Sequence, residues 1–338
     1  MSIVITGGSG FIGTNFINNW ICNTNEEIIN FDNLTYASNY LNKKNDNSKN
    51  YKFIEGDICN QALFKEICLK FRPRAVINFA AETHVDRSIK NREIFLKTNV
   101  NGTFNLLEAV LSYWKNALKE DISKFRFIQI STDEVYGSLE EFDNLFNENS
   151  IYRPNNPYSA SKASADHFVR SYFKTFGLPS IVTHCSNNYG PYQSLDKFIP
   201  LIIKNCLTNN LIPIYGNGQQ IRDWIYVDDH CRALLKILSS GCIGEIYNIG
   251  GDNQIRNIEV SKKICYILDQ IRPSNEKSIK SYSELIRFVE DRPGHDKRYG
   301  IDSKKIQNDL GWNQNFKFEA GIKKTITWYL ANIDKLKN

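Results

Sequence analysis

SIVITGGSGFIG, at residues 2–13, joins a β-branched run to a glycine triplet and an apolar helical pattern. The run at residues 3–5 predicts a β-strand, because branched side chains favour the extended backbone. Gly7, Gly10 and Gly13 have the spacing G-x-x-G-x-x-G, in which the backbone turns tightly and a helix N-terminus can meet a pyrophosphate. A strand, a glycine turn and a helix in this order predict a dinucleotide-binding α/β fold.

The rest of the chain continues this alternation. Further strands are predicted at residues 28–31, 51–54, 75–79, 125–130 and 181–184, with helical patterns at 62–71 and 106–111. Such alternation predicts a doubly wound parallel sheet of the Rossmann type. Prolines and glycines break the chain after Asn188, which predicts a smaller, loop-rich domain over the carboxyl edge of the sheet. We expect a dinucleotide-binding domain at residues 1–186, to which segments at roughly 222–250 return, and a mainly substrate-binding domain at 187–338.

Composition excludes several classes of protein. The 338 residues are 41% hydrophobic and 23% charged, and the net charge of +5 is spread along the chain. The sequence has no basic run with interleaved aromatics of the kind that predicts nucleic-acid binding, and no apolar run long enough to span a membrane. The eight cysteines have no C-x-x-C spacing, which argues against a metal site and a disulfide framework. With no signal peptide visible, we expect a cytoplasmic protein.

Asp32 ends the second predicted strand, about 20 residues beyond the glycines, where a carboxylate accepts hydrogen bonds from a ribose diol. A carboxylate repels a 2′-phosphate, so NAD is favoured over NADP. Asp57 ends the third predicted strand and could bind the adenine amine, although a surface turn competes as an explanation.

Tyr158 and Lys162 lie four residues apart and share one face of a helix. A phenol has a reference pKa of about 10, and a neighbouring ammonium or nicotinamide ring favours the phenolate. Thr132, just after a predicted strand, can hydrogen-bond the reacting alcohol or ketone. Together with the glycine turn, these residues predict a redox enzyme.

The chain resembles the extended short-chain dehydrogenase/reductase family in its glycine triplet, its Tyr-x-x-x-Lys and its length. More narrowly it resembles the nucleoside-diphosphate-glucose 4,6-dehydratases, above all the bacterial dTDP-glucose type. The matching motifs are AAETHVDRS at 80–88, STDEVYG at 131–137, CSNNYGP at 185–191, RDW at 222–224 and DRPGHD at 291–296.

Asp133 and Glu134 carry the narrower inference. Oxidation of a sugar alcohol acidifies the neighbouring C–H, so a base can remove that proton while an acid protonates the hydroxyl one carbon further on. The resemblance implies that Tyr158 deprotonates the C4 hydroxyl, Glu134 takes the C5 proton, Asp133 protonates the C6 hydroxyl, and hydride returns from the cofactor to C6. Since two adjacent carboxylates repel each other, we expect one to be protonated at neutral pH.

The remaining site residues follow from position or from the resemblance. Arg222 and Arg292 are candidate phosphate clamps, because a guanidinium binds phosphate oxygens bidentately. The expected cofactor contacts are Gly7, Gly10, Phe11, Ile12, Gly13, Asp32, Asn33, Leu34, Thr35, Asp57, Ile58, Ala80, Ala81, Thr83, Asn99, Tyr158, Lys162 and Asn188. The expected substrate contacts are Thr83, Thr132, Asn187, Lys197, Phe198, Pro213, Tyr215, Arg222, Asn257, Arg292 and His295. Phe198 departs from the family, where an aliphatic residue is expected, and none of the five histidines is expected to transfer protons.

Three alternatives stay open. A 4-epimerase shares Thr132, Tyr158 and Lys162 but has no use for two carboxylates, and a decarboxylating relative would need a cationic group for the sugar carboxylate. A non-catalytic NAD sensor would be expected to lack Tyr158 or Lys162. Thymidine and uridine nucleotides differ by one methyl group on the base, and no single residue in the sequence indicates which of the two is bound. The resemblance also implies a homodimer, paired through helices at about 92–113 and 158–175.

Overall fold

The computed structural model describes residues 2–38, 48–117 and 124–332. The strands in these residues are β1 (Ser2–Thr6), β2 (Glu27–Asp32), β3 (Tyr51–Glu55), β4 (Pro73–Asn78), β5 (Arg126–Thr132), β6 (Ser180–Cys185), β7 (Asn187–Tyr189), β8 (Ile212–Tyr215), β9 (Ile221–Tyr226), β10 (Ile246–Ile249), β11 (Gln254–Arg256) and β12 (Ile286–Val289). The α-helices are α1 (Phe11–Asn23), α2 (Gln61–Phe71), α3 (Val85–Lys90), α4 (Arg92–Phe95), α5 (Thr103–Asn116), α6 (Pro157–Phe176), α7 (Phe198–Leu207), α8 (Val227–Ser240), α9 (Asn257–Ile271), α10 (Lys304–Leu310) and α11 (Phe318–Asn332).

A seven-stranded parallel sheet has the order β10-β6-β5-β4-β1-β2-β3. The prediction of a doubly wound Rossmann sheet is confirmed. The strand order reverses between β1 and β4, so the connections from their carboxyl ends leave to opposite faces of the sheet. Ligands bind in the crevice that such a reversal opens.

Helices cover both faces of the sheet, because alternate strand residues point to opposite sides. Ile3 and Ile5 of β1 pack with residues of α1 and α8, whereas Val4 packs with residues of α2 and α5. Strand β10 and helix α8 lie late in the chain, yet they complete this sheet and one of its helical layers.

The remaining residues after β6 form a second core, in which α7, α9 and α11 pack around short strands. Strand β9 lies between β7 and β11, and β8 pairs with β12. This region is more helical than its prolines and glycines indicate. The apolar positions of α7, α9 and α11 supply most of the buried residues, including Ile202, Ile264 and Ile322.

Two predicted boundaries need correction. Strand β5 continues to Thr132, two residues beyond the predicted end, because Thr132 pairs with Cys185 of β6. The expected helix at about 92–113 is divided, since a π-helical segment at Leu96–Gly102 separates α4 from α5. No helix of residues 2–38, 48–117 or 124–332 is both long and apolar enough to cross a membrane.

Candidate active site

A cavity of about 750 Å³ lies along the carboxyl ends of β1, β4, β5 and β6, and residues of the second core close it. The predicted cofactor residues that line it are Gly7, Gly10, Phe11, Ile12, Gly13, Asp32, Asn33, Thr35, Asp57, Ile58, Ala80, Ala81, Thr83, Tyr158, Lys162 and Asn188. The other predicted residues that line it are Thr132, Asp133, Glu134, Asn187, Lys197, Phe198, Pro213, Tyr215, Arg222, Asn257, Arg292 and His295. The structure thus brings residues from distant parts of the sequence around one cavity.

Leu34 and Asn99 do not line this cavity. The backbone N–H of Leu34 donates to Asp32 Oδ1 at 2.8 Å, so Leu34 orients the carboxylate instead. Asn99 is buried, accepts the Glu82 N–H at 2.8 Å and donates to Ser161 Oγ at 2.8 Å. It therefore ties the loop after β4 to helix α6 from behind the cavity wall.

The turn between β1 and α1 leaves no room for side chains. Gly7 has a φ of +69°, and a Cβ there would lie 2.5 Å from the Ala80 nitrogen. A Cβ on Gly13 would lie 2.5 Å from the carbonyl oxygen of Gly7. Backbone atoms fill both positions, so only glycine lets the turn close at the N-terminus of α1. We call Gly7, Gly10, Gly13 and Asp32 the glycine region.

Asp32 is fixed beside this turn at the end of β2. Its Oδ2 accepts the backbone N–H of Ser9 at 2.9 Å. Burial raises the pKa of the Asp32 carboxyl, while the backbone hydrogen bonds from Leu34 and Ser9 lower it. The oriented carboxylate can accept further hydrogen bonds from a diol in the cavity.

Tyr158 and Lys162 enter the cavity from α6. Asn156 caps this helix in a reciprocal capping box with Ser159, and Pro157 begins it, which places Tyr158 in the first turn. Lys162 Nζ donates to the carbonyl oxygen of Ile130 at 2.6 Å. The lysine therefore lies against β5, directly below its catalytic end.

The surroundings of the Tyr158 phenol oppose its ionisation. Burial raises the pKa of Tyr158 well above 10, the Glu134 carboxylate raises it further, and a hydrogen bond with Thr132 lowers it. The Lys162 ammonium is engaged by the Ile130 carbonyl, and burial lowers its own pKa.

Asp133 and Glu134 follow β5 in a single 3₁₀ turn, Asp133–Tyr136. Burial raises the pKa of Asp133 well above 3.8, and repulsion from Glu134 and then Asp223 adds to it. Burial also raises the pKa of Glu134, but Arg292 and Arg222 oppose this shift. The two carboxyls therefore differ in pKa, and the proton is favoured on Asp133. Burial raises the pKa of Asp133 more than the expected repulsion between the two carboxylates does.

Arg222, Arg292 and His295, which we call the arginine region, come from the second core and its loops. Arg222 stacks on the Tyr299 ring, with 4.2 Å from Cζ to the ring centroid, and donates to the Asp296 carbonyl at 3.0 Å. Arg292 Nη1 lies 3.3 Å from an Asp86 carboxylate oxygen. Burial lowers the pKa of His295 to about 4, so its ring is neutral near pH 7.

Two residues close to Glu134 were not indicated by the sequence. Tyr299 Oη donates to Asp296 Oδ2 at 2.6 Å and lies 3.3 Å from Glu134 Oε2. Asn156 Nδ2 is 3.4 Å from the same Glu134 oxygen. No local pattern marks Tyr299, which lies 165 residues from Glu134 in the sequence. The unusual Phe198 also finds a partner, because it stacks on Trp224 with ring centroids 6.0 Å apart.

Comparison with known proteins gives a consistent result. The family model described as GDP-mannose 4,6 dehydratase matches residues 4–325. A dTDP-glucose 4,6-dehydratase of Neisseria meningitidis serogroup B is 51% identical over 332 residues, which are 98% of this chain and 93% of that protein. The dTDP-glucose 4,6-dehydratase of Escherichia coli is 50% identical over 341 residues, with 98% and 94% covered.

Solved structures agree in fold. The dTDP-glucose 4,6-dehydratase of Bacillus anthracis, in complex with NAD, has a TM-score of 0.86 at 41% identity, with 99% of this chain and 98% of that chain covered. A UDP-glucose 4-epimerase of Thermotoga maritima has a TM-score of 0.84 at 26% identity, with 98% and 100% covered. The architecture is therefore common to dehydratases and epimerases, and side chains in the cavity must separate them.

Proposed function

Because this chain belongs to the dTDP-glucose 4,6-dehydratases of the extended short-chain dehydrogenase/reductase family, we propose that five side chains divide its reaction among them. The chain is a hydro-lyase that dehydrates dTDP-glucose with NAD as its cofactor. The observation that supports this division is that the carboxyl of buried Asp133 and that of half-buried Glu134, both beside Tyr158, differ in their tendency to hold a proton.

Tyr158 and Thr132 handle the first step. NAD, when bound, would supply the acceptor for the C4 hydride and the source of the hydride that returns to C6. Tyr158 Oη takes the proton of the C4 hydroxyl. The C4 hydrogen can then leave as hydride, with the electron pair of its bond, and a C4 ketone remains. The Thr132 hydroxyl, which bonds Tyr158, orients the reacting oxygen. Lys162, fixed on the Ile130 carbonyl, supports the ribose of the cofactor and the charge of the phenolate.

Asp133 and Glu134 handle the loss of water. Glu134 takes the C5 proton, which the C4 ketone has acidified, and Asp133 gives its proton to the departing C6 hydroxyl. The C5–C6 double bond then receives hydride at C6 and a proton from Glu134 at C5. Burial favours the proton on Asp133, and two guanidinium groups favour the ionised form of Glu134, as these roles require.

The glycine region fits the cofactor. Close backbone packing at Gly7 and Gly13 forms the tight turn at the start of α1, where the helix N-terminus would meet a pyrophosphate. Asp32 would hold the adenosine ribose, and Asp57, whose Oδ1 already accepts the Cys59 N–H at 2.8 Å, would reach the adenine amine.

The arginine region fits the nucleoside diphosphate. Arg222 and Arg292 would clamp the phosphates, because both line the cavity near Glu134 and offer planar sets of donors. Phe198 and Trp224 form a stacked pair in the wall of the same cavity. Lys197, which donates to the Thr83 carbonyl at 3.2 Å, would close this side of the cavity.

A labelled substrate tests the proposed reaction. The purified protein, without added NAD, is incubated with dTDP-glucose deuterated at C4, and in parallel with UDP-glucose labelled in the same way. We expect a 4-keto-6-deoxyglucose nucleotide with deuterium at C6, formed faster from the thymidine substrate. Recovery of a galactose epimer, or of product without the label, would contradict the proposed sequence of hydride transfers.

We also propose that the protein forms a homodimer through α5, α6 and the segment before α5. Phe104 of α5 and Phe168 of α6 are each more than a third exposed, and their rings lie edge to face with centroids 5.9 Å apart. Leu96, which is 56% exposed, extends the same set of apolar side chains. Sedimentation of the protein and of Phe104→Glu tests this, since a charge in the interface should yield monomers.

The same proposal includes a cytoplasmic location. All eight cysteines are free, and five of them are buried as small apolar residues. Free thiols suit a reducing compartment. Fractionation of cells that produce the protein, with a cytoplasmic marker as reference, tests the location.

A further inference from the structure

Helix α6 carries a third buried ionisable residue in line with Tyr158 and Lys162. Asp166 follows at the same interval of four, and the three side chains are 8%, 4% and 2% exposed in chain order. Residues four apart on a helix lie on one face. Asp166 does not line the main cavity and has no part in the reaction proposed above. A buried carboxylate one turn from a buried ammonium therefore needs its own explanation.

Asp166 and Lys162 bind consecutive residues of β5. Asp166 Oδ2 accepts the Ser131 hydroxyl at 2.6 Å, and Lys162 Nζ donates to the Ile130 carbonyl at 2.6 Å. Thr132 comes next in the strand. The two contacts thus set the position of α6, and with it Tyr158, relative to the hydroxyl that Tyr158 must meet.

Asp166 is also the principal negative partner of Lys162. Burial lowers the pKa of Lys162, and the Asp166 carboxylate and then Cys185 raise it. The titratable groups that lie around this lysine, from α6, β6 and the turn after β5, are Tyr158, Asp166, His184, Cys185, Asp133 and Glu134. Burial raises the pKa of Cys185 to about 12, so its thiol is neutral near pH 7.

Asp166 contacts a buried histidine and borders a second cavity. His184 Nε2 lies 3.2 Å from Oδ2, and the other ring nitrogen lies 2.8 Å from Tyr136 Oη. Oδ1 has no hydrogen-bond partner among the residues that the structure describes. Asp166 lines a second cavity of about 380 Å³, whose wall shares no residue with the main cavity and includes Tyr152 and His167.

We infer that Asp166 is a positioning residue, whose carboxylate keeps Lys162 protonated inside the protein and, with Ser131, fixes α6 against β5. The inference rests on the proposed role of Lys162 in the reaction. Asp166, which does not line the main cavity, would then maintain the positive charge of Lys162. The substrate and the cofactor need not touch Asp166 for its loss to affect the first hydride transfer.

Nuclear magnetic resonance of the holoenzyme labelled with [13Cε]lysine tests the electrostatic part. Lys162→Met assigns the resonance by its disappearance, and its titration is then followed with pH. In Asp166→Asn we expect the Lys162 midpoint to fall by about 1–2 pH units, the size of a unit charge at close range inside a protein. Ser131→Ala is the matched control, because it removes the hydrogen bond and retains the charge. Its midpoint should stay within about half a unit of the unmodified enzyme.

A midpoint in Asp166→Asn equal to that of the unmodified enzyme would overturn the inference, as would an equal fall in Ser131→Ala. If Asp166→Asn does not fold, Asp166→Ser removes the same charge from a smaller side chain and must give the same fall. The titration does not depend on product formation, so its failure is separate from a failure of the proposed dehydration. NADH formation gives a second readout. In Asp133→Asn its rate is measured as the pH is raised, and in the double variant with Asp166→Asn this rate should begin to fall at a lower pH.

Discussion

The glycine region, which is proposed to hold the cofactor, and the arginine region, which is proposed to hold the substrate, are built differently. The glycine region consists of short segments within the first 32 residues, and backbone geometry decides it: a Cβ at Gly7 or Gly13 would overlap backbone atoms. The arginine region collects side chains from β9 and from the loop after β12, and charge decides it, since Arg222 and Arg292 both act on Glu134. One region is therefore sensitive to volume, and the other to charge.

The proposed catalytic residues line the same cavity as both regions. Tyr158 faces Glu134 and Thr132, and Glu134 in turn faces the two arginines. Substitutions can therefore separate the hydride transfer that the glycine region supports from the elimination that depends on charge. Four such changes follow, in order of decreasing expected effect.

Asp133→Asn and Glu134→Gln should separate the two chemical steps most strongly. Removing a general acid or base costs about 10²–10⁴-fold in rate, so water loss should fall by that factor. The glycine region is untouched, so hydride transfer to NAD should persist and NADH should accumulate. Absorbance of bound NADH and the mass of the sugar nucleotide measure the two steps. Glu66→Gln, at an exposed position of α2, is the control that should change neither. Normal water loss in both variants would refute the assigned roles.

Arg292→Ala should weaken substrate binding and move the pH profile. A hydrogen bond to a charged group contributes about 1.5–3 kcal/mol, so KM should rise about 10–150-fold. Arg292 also lowers the pKa of Glu134, the proposed base. Without Arg292 that pKa rises, so the activity that requires ionised Glu134 should be lost at a higher pH on the acid side. Arg292→Lys keeps the charge and should restore the acid limb better than it restores KM. An unchanged acid limb in Arg292→Ala would separate this arginine from Glu134.

Gly13→Ala should impair the other region. The added Cβ would lie 2.5 Å from the Gly7 carbonyl oxygen, so the turn must open. Overpacking of this kind costs about 1–3 kcal/mol, and we expect NAD affinity to fall about tenfold or more. The control is Gly311→Ala, where φ is +60° but no atom lies within 4 Å of the new Cβ. It should lower the free energy of unfolding by about 1–2 kcal/mol without loss of NAD. Equal NAD affinity in both variants would contradict the close approach at Gly13.

The same difference between regions explains what the sequence could predict. Six of the seven strands of the main sheet were predicted because β-branched runs alternate with helical patterns, and the glycine turn because its spacing is local. Strand β10 was not predicted. The predicted end of β5 was two residues too early. Ser131 and Thr132 are polar and have no strand pattern of their own, but pairing with β6 holds them in the strand. The π-helical break before α5 likewise has no local signature in the sequence.

The arginine region was predicted as separate residues without their connections. Tyr299 and Asp296 reach Glu134 only because the chain folds back across 165 residues, and hydrogen bonds over that distance follow from tertiary packing. Local patterns indicated Arg222 and Arg292 as candidates, but not that they oppose the effect of burial on Glu134. Electrostatic effects among distant residues require coordinates.

Phe198→Leu should have the smallest effect of the four. It tests whether side-chain volume also matters on the side of the cavity that contains the arginine region. Phe198 stacks on Trp224, and an aliphatic residue is expected there from the family. Leucine keeps much of the apolar volume and loses the ring contact, so the free energy of unfolding should fall by about 0.5–1.5 kcal/mol. If the pair serves packing alone, KM for dTDP-glucose should change less than about threefold, because the charges that select the substrate are unaltered. Trp224→Phe is the matched change on the partner ring. A rise in KM beyond tenfold in both variants, with little loss of stability, would mean that the stacked pair itself contacts the base.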